Sequence, residues 1–208
     1  MSHDQIRFRL AHHLKITIVD KSFHMFVSTS PSLSKTVASP PMEHAKFRII
    51  SARTAEHLAT ARALFTAYVE WLNIDLSYQN FQAELDSLPG KYAAPDGELL
   101  LAYGADNTPL GCAAIRPLRD QDSQNQGYCE IKRLYVSPEA RGLGLGKALV
   151  VAIVQRAKEL GYREMRLDTL PFMQGAIRLY TRMGFVKIDR YYETPIEDTV
   201  FLALNLTK

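Results

Sequence analysis

Apolar residues recur along residues 47–206 with two different periods, and the switches between them predict an order of elements. Phe47, Ile49 and Ala52 outline a short strand. Thr54 stands where a helix N-cap belongs, ahead of Leu58, Ala61, Leu64, Phe65, Tyr68 and Leu72 at helical spacing, with Trp71 beside the stripe. A shorter helix around Phe81, Leu85 and Leu88 is closed by Pro89 and Gly90. Residues 99–103 and 110–117 read as two strands of a hairpin turning through 104–109, and the polar residues 118–127 carry no period, so they form a surface loop. A strand over 128–136 then leads into a glycine-rich stretch. After it, Ala148, Leu149, Ala152, Ile153, Ala157 and Leu160 trace a helix that Gly161 ends. Residues 165–170 form a further strand, Pro171 suits the first turn of a helix reaching Met183 ahead of Gly184, and two β-like runs, 185–189 and 199–206, close the chain. Strands alternating with helices around a hairpin predict an α/β domain with a mixed sheet.

Composition adds an extension to that domain. At 208 residues and 47% hydrophobic, the chain can bury one core and has residues to spare. Residues 1–45 differ from the rest: Arg7, Arg9, Lys15, Lys21 and Lys35 face only Asp4, Asp20 and Glu43, and a Ser/Thr/Pro-rich run covers 28–41. Either a disordered extension, with Met42 as the true start, or a mitochondrial transit peptide fits this composition; the first implies a cytoplasmic protein. The domain is expected over 46–208. A net charge of +3, without a basic block, argues against nucleic acid as a partner. No apolar run approaches the roughly 18 residues of a membrane span, so no membrane is expected as a partner. Cys112 and Cys129 read as buried small hydrophobes, and the scattered histidines lack metal-ligand spacing, so no metal is expected.

The chemistry concentrates in Arg141, Gly142, Leu143, Gly144, Leu145, Gly146 and Lys147. Alternate glycines leave consecutive backbone N–H groups unscreened, and a helix that starts there adds its unpaired first-turn donors and the positive end of its dipole. Such a junction holds a phosphate or pyrophosphate. It is not a P-loop: counting back from Gly146 and Lys147 puts Arg141 at the first glycine, and Ala148 stands where the hydroxyl belongs. Nor is it a dinucleotide fingerprint, whose third glycine would fall on Lys147 or Leu149.

What fits is R-x-x-G-x-G, formed by Arg141, Gly144 and Gly146. With the strand Glu-Ile-Lys-Arg-Leu-Tyr-Val before it, Ala-Ile-Arg-Leu-Tyr at 176–180 after it, and Met183-Gly184-Phe185, the sequence resembles the GNAT superfamily of acetyl-CoA-dependent N-acetyltransferases. The resemblance covers residues 47–206 and is tightest over 129–185. It implies the GNAT acyl-CoA N-acyltransferase fold, an α/β arrangement whose mixed, twisted sheet is splayed between its central strands and flanked by helices. It implies acetyl-CoA as acyl donor, with its pantetheine arm on the backbone of Leu134, Tyr135 and Val136 and its pyrophosphate on residues 141–147. The acceptor would be a small-molecule amine or a protein amino group, attacking directly in a ternary complex, and the protein a monomer or homodimer; the alternative is a non-catalytic acyl-CoA-binding regulatory module.

The same resemblance implies roles for single residues. An alkylamine with a pKa near 10.4 is neutral only about once in a few thousand at pH 7, so a base is useful. Glu130 is the candidate base; alternatively it is a strand-face residue paired with Lys132 or Arg133. The N–H of Leu134 would donate to the oxyanion, and Tyr180 would protonate the leaving thiolate. Where many members carry an asparagine that contacts the cofactor, this chain has Met173, so either Gln174 beside it substitutes or that contact is absent. Trp71, Tyr78, Tyr191, Tyr192 and the 119–127 loop are expected to flank the acceptor side.

Overall fold

Thr54 caps the first helix as its position suggests, its Oγ1 accepting from the His57 N–H at 3.2 Å. That helix, α1 (Ala55–Leu72), follows strand β1 (Phe47–Ser51) and ends at Asn73 in the left-handed conformation. The computed structural model describes residues 46–74, 80–118 and 127–207, so the expectations for residues 1–45, for Tyr78 and for most of the 119–127 loop lie outside the described residues. A short α2 (Phe81–Asp86) precedes the antiparallel hairpin of β2 (Glu98–Gly104) and β3 (Pro109–Pro117). Then come β4 (Tyr128–Val136), α3 (Leu145–Glu159), β5 (Glu164–Thr169), α4 (Gln174–Arg182), β6 (Val186–Lys187) and β7 (Val200–Asn205). These strands make one seven-stranded sheet ordered β1-β2-β3-β4-β5-β7-β6, parallel only at β4–β5.

Helices cover both faces. Leu100, Ala102, Ile115, Cys129, Ile131 and Met165 pack against Leu145, Leu149 and Ile153 of α3 and Tyr180 of α4. Leu99, Leu101, Tyr103, Cys112 and Tyr135 pack on the other face against Ala61, Leu64 and Phe65 of α1. Every residue of β2 is therefore buried, one alternate set under each layer. Beneath them Glu98, fully buried, accepts from Arg53 at 2.7 and 2.6 Å and from Arg156 at 2.9 Å, tying β2 to both helical layers.

The fourth strand departs from simple alternation. Arg133 has φ 56°, Ala114 lies opposite Lys132, and Cys112 lies opposite Tyr135, so two residues of β4 face one of β3. This is a β-bulge with a non-glycine residue in the left-handed region. It exchanges the faces: Ile131 points to α3, yet Tyr135 points to α1. The Arg133 side chain runs under α2, where its Nε donates to Glu84 Oε1 at 2.7 Å, and Lys91 Nζ holds Glu84 Oε2 at 2.9 Å. Burial alone would raise the Glu84 pKa, but the bonds and charges of Arg133 and Lys91 outweigh it and hold it down at about 2.

Two sequence expectations shift at the far end. Pro171 does not open α4; the helix begins at Gln174, because Met173 sits at ψ 52°, outside helical values, and packs with Leu72 and Leu170. The expected strand over 185–189 contracts to Val186–Lys187, the two residues that pair with β7.

The Glu84–Arg133 pair should dominate local stability. Glu84→Gln leaves a buried guanidinium without its counter-charge and is expected to cost about 3–5 kcal/mol in urea unfolding at neutral pH. Because the folded carboxyl titrates below its usual 4.5, the pair stabilises fully above that pH and progressively less as pH falls toward about 2, so the gap between wild type and variant should narrow across that window. A gap that is constant with pH would contradict the pairing.

Candidate active site

The parallel pairing of β4 with β5 runs only from Tyr128–Glu164 to Glu130–Arg166, although both strands continue. Beyond Glu130 they part. The β3 ladder skips Arg133 and Leu134 at the bulge, so among the described strands Leu134 has no ladder partner on either side. A cavity of about 80 Å³ opens there, lined by Ile131, Lys132, Arg133 and Leu134 of β4, Leu167, Asp168 and Thr169 of β5, Leu170 and Met173 after it, Ala176 and Tyr180 of α4, Tyr68 and Leu72 of α1, and Ile196.

Tyr180 is buried, its ring 5.5 Å from that of Phe185, and burial first, then the electrostatic influence of Tyr68 and Asp168, push its pKa upward. Its phenol therefore stays protonated through the neutral range. Met173 lies in the same wall, its sulfur accepting from the Thr169 hydroxyl at 3.7 Å, while the Gln174 amide donates to Pro171 O at 2.6 Å.

Glu130 is 1% exposed and is not part of the cavity wall. Arg116 Nε donates to its Oε2 at 2.8 Å, the Tyr191 hydroxyl to its Oε1 at 2.8 Å, and Lys132 Nζ stands 3.4 Å from Oε1. Lys132 also donates to Asp168 Oδ1 at 2.7 Å and lies over the Tyr192 ring. Of the two strand-face partners expected for Glu130, Lys132 is near, whereas Arg133 is turned to Glu84. Burial, foremost, and the nearby charge of Glu130 raise the Tyr191 pKa, so this hydroxyl remains a donor.

At the open end of β4 lies the glycine stretch. Gly142 and Gly144 both have φ +82°, a conformation L-residues rarely adopt, and a Cβ at either would meet nothing within 4 Å. Glycine is needed there for its dihedral freedom and leaves the concave side bare. Among the described residues the first α3 amide with a carbonyl partner is Ala148, onto Gly144 O at 3.1 Å, so those of Leu145, Gly146 and Lys147 point out of the helix end. Leu145 is buried, while Arg141, Leu143 and Lys147 are exposed. This array suits an anion. Arg141 stacks its guanidinium 4.6 Å from the Trp71 ring centre and aims Nε at Val136 O at 3.4 Å. Tyr135 and Tyr68 complete the aromatic group around Trp71.

A split central strand pair leading to a glycine-rich helix terminus with free first-turn amides is a specific arrangement, and the sequence profile of the acetyltransferase (GNAT) family matches residues 58–185. The chain belongs to the GNAT family. It is 38% identical over 167 residues to an uncharacterised N-acetyltransferase of Schizosaccharomyces pombe, covering 80% of this chain and 99% of that one. A second such protein, from Dictyostelium discoideum, is 35% identical over 73% of this chain and 95% of its own. A Klebsiella pneumoniae protein assigned as an acyl-CoA N-acyltransferase shares the fold, with a TM-score of 0.59 at 28% identity over 77% of this chain and 97% of its own. A Salmonella typhimurium protein, assigned as an acetyltransferase and determined with its cofactor acetyl-CoA, superposes with a TM-score of 0.56 at 19% identity over 77% of this chain and 94% of its own.

This GNAT member is thus an acyltransferase, and the mixed, splayed α/β sheet expected from its sequence is the one observed. Among the described residues no helix is long and apolar enough to cross a membrane, and no group of three His, Cys, Asp or Glu side chains is set to hold a metal ion. Sequence reasoning gave no role to Asp168, to Arg116 or to the Trp71–Arg141 stack. Asp168 falls in the same alternate set of β5 as Glu164 and Arg166, which reads as an ordinary polar strand face, and its neighbour Lys132 is 36 residues away.

The sequence has one tryptophan, so intrinsic fluorescence isolates Trp71. Titration with CoA is expected to change that emission, since an anion on the loop competes for the Arg141 guanidinium. Arg141→Ala should abolish most of the change and weaken CoA roughly tenfold. Saturating CoA that leaves the spectrum unmoved would show that the stack and the loop act independently.

Proposed function

We propose that the protein transfers the acetyl group of acetyl-CoA to a primary amine, on a small molecule or a protein, by direct attack in a ternary complex. The observation that carries this reading is the gap between β4 and β5, with Leu134, which neither ladder includes, on one wall and Tyr180 on the other. Acetyl-CoA supplies an activated acyl carbon; the chain positions it and moves protons.

The backbone of Leu134, Tyr135 and Val136 takes the pantetheine arm as an added strand would be taken. The N–H groups of Gly142, Leu143, Gly144, Leu145, Gly146 and Lys147 surround the pyrophosphate, with the charges of Arg141 and Lys147 beside it. The two anchors together set the thioester next to the Leu134 N–H, which donates to the oxygen as charge develops there. Tyr180 gives its phenol proton to the departing sulfur; a phenol that burial keeps protonated suits that task. Glu130, the base implied by family resemblance, serves in this reading as the buried anion that fixes Arg116, Tyr191 and Lys132 beneath the acceptor side.

Tyr180→Phe keeps the ring packed on Phe185 and removes only the proton. Thiol release from acetyl-CoA in the presence of an amine should fall by roughly 10², with CoA affinity unchanged. A variant that turns over at the wild-type rate would remove Tyr180 from the mechanism.

A further inference from the structure

Three charged side chains belong to residues that line the cavity: Lys132, Arg133 and Asp168. The Arg133 guanidinium is committed to Glu84 on the α2 side, and the Lys132 ammonium is shared between Asp168 and Glu130. Among the described residues Asp168 is the one carboxylate in the wall, and its side chain is 17% exposed against 1% for Glu130. The two carboxylates also differ in spare capacity. Both oxygens of Glu130 already accept from Arg116 and Tyr191, with Lys132 close by, whereas among the described residues Asp168 accepts a single bond, from Lys132 to Oδ1. An ionised carboxylate offers about four acceptor positions, so Oδ2 of Asp168 retains its capacity beside the cavity.

We propose that Asp168 is the catalytic carboxylate that receives the acceptor: it accepts a hydrogen bond from the attacking amine and then takes its proton. The assignment rests on the acetyl-transfer reading above. Lys132 is the positioning residue, holding Oδ1 so that the other oxygen serves the substrate, and Glu130 in turn holds Lys132. Acid and base then come from successive elements, Asp168 from β5 and Tyr180 from α4, and both reach the same cavity. The Asp168 charge is among the causes that raise the Tyr180 pKa, so the two groups are within electrostatic reach.

The nitrogen lone pair of the neutral amine forms the C–N bond while the C–S electron pair leaves on sulfur. The amine's surplus proton passes to Asp168, the phenol proton of Tyr180 passes to sulfur, and solvent takes the first and restores the second. R–NH2 and acetyl-S-CoA thereby become R–NH–acetyl and CoA-SH. Such a site takes an unhindered primary amine that arrives with an N–H to donate, and it disfavours an acceptor bearing a carboxylate beside the nitrogen, which would meet Asp168 as a like charge.

Two probes test this with the full chain: CoA itself, and CoA carrying the S-acetamide of n-butylamine, which extends the amine's N–H across the thioester position. The wild type is expected to bind the conjugate roughly tenfold tighter than CoA, and Asp168→Asn, which presents an amide donor instead, should lose that gain while keeping CoA affinity within about twofold. With acetyl-CoA and n-butylamine, Asp168→Asn should lower kcat/KM for the amine by about 10², and Asp168→Glu should recover part of it. If Asp168→Asn does not fold, the double variant with Lys132→Met removes the unpaired ammonium and carries the same readouts. A conjugate gain that survives in the variant, a gain absent from the wild type, or a kinetic loss confined to Glu130→Gln would overturn the assignment. Failure of the wild type to bind CoA would instead overturn the acetyl-transfer reading.

Discussion

A sheet whose strands stay paired leaves no room for a ligand between them, and here the single parallel pair gives up its ladder after Glu130 and Arg166. Unpaired backbone inside a fold is costly unless something satisfies it. The bulge at Arg133 makes that cost local, because it withdraws Leu134 from the β3 side as well. The left-handed backbone of Arg133 is a strain of order 1–3 kcal/mol, offset where it arises by the Glu84 carboxylate beneath α2. The bulge carries Tyr135 to the α1 face and Arg133 to Glu84, and Arg133 and Leu134 line the cavity beside it.

Charge is handled the same way throughout the core. Glu84, Glu98 and Glu130 are each buried, and each is met by two cationic side chains: Arg133 and Lys91, Arg53 and Arg156, Arg116 and Lys132. Such ion pairs contribute little net stability compared with apolar packing, yet breaking one partner is expensive. Their value lies in specifying where strands and helices sit. Glu98 registers β2 against both layers, Glu84 registers α2 against the bulge, and Glu130 registers β3 and the 191–192 loop against the cleft.

The elements that could be read from the sequence are those whose causes are local. The Thr54 cap, the apolar stripe of α1, the hairpin, Gly161 in the left-handed region and the glycine stretch all act within a few residues of themselves. So did the pattern that marks the loop, because Gly142 and Gly144 are there for their own dihedral angles and not for a neighbour. What escaped depends on distant partners. Glu130 meets Tyr191 from 61 residues away and Lys132 meets Asp168 from 36, and neither spacing leaves a periodic trace. The bulge escaped for a different reason: a strand with one residue in the left-handed region changes the parity of its faces, and a period of two carries no mark of where that happens. At Pro171 the local signal lost to packing, since Met173 is drawn into the cluster with Leu72 and Leu170 before α4 can begin.

The stack of Arg141 on Trp71 joins the glycine loop to the last turn of α1. In the proposed reading, helix α1 stands on the acceptor side and the glycine loop holds the donor. Because a loop cation rests on a ring from α1, the two half-sites share one mechanical support. Genetic variation at the last turn of α1 would therefore be recorded as altered donor affinity as well as altered acceptor choice, and a search for new acceptor specificity among α1 variants would have to be scored against both.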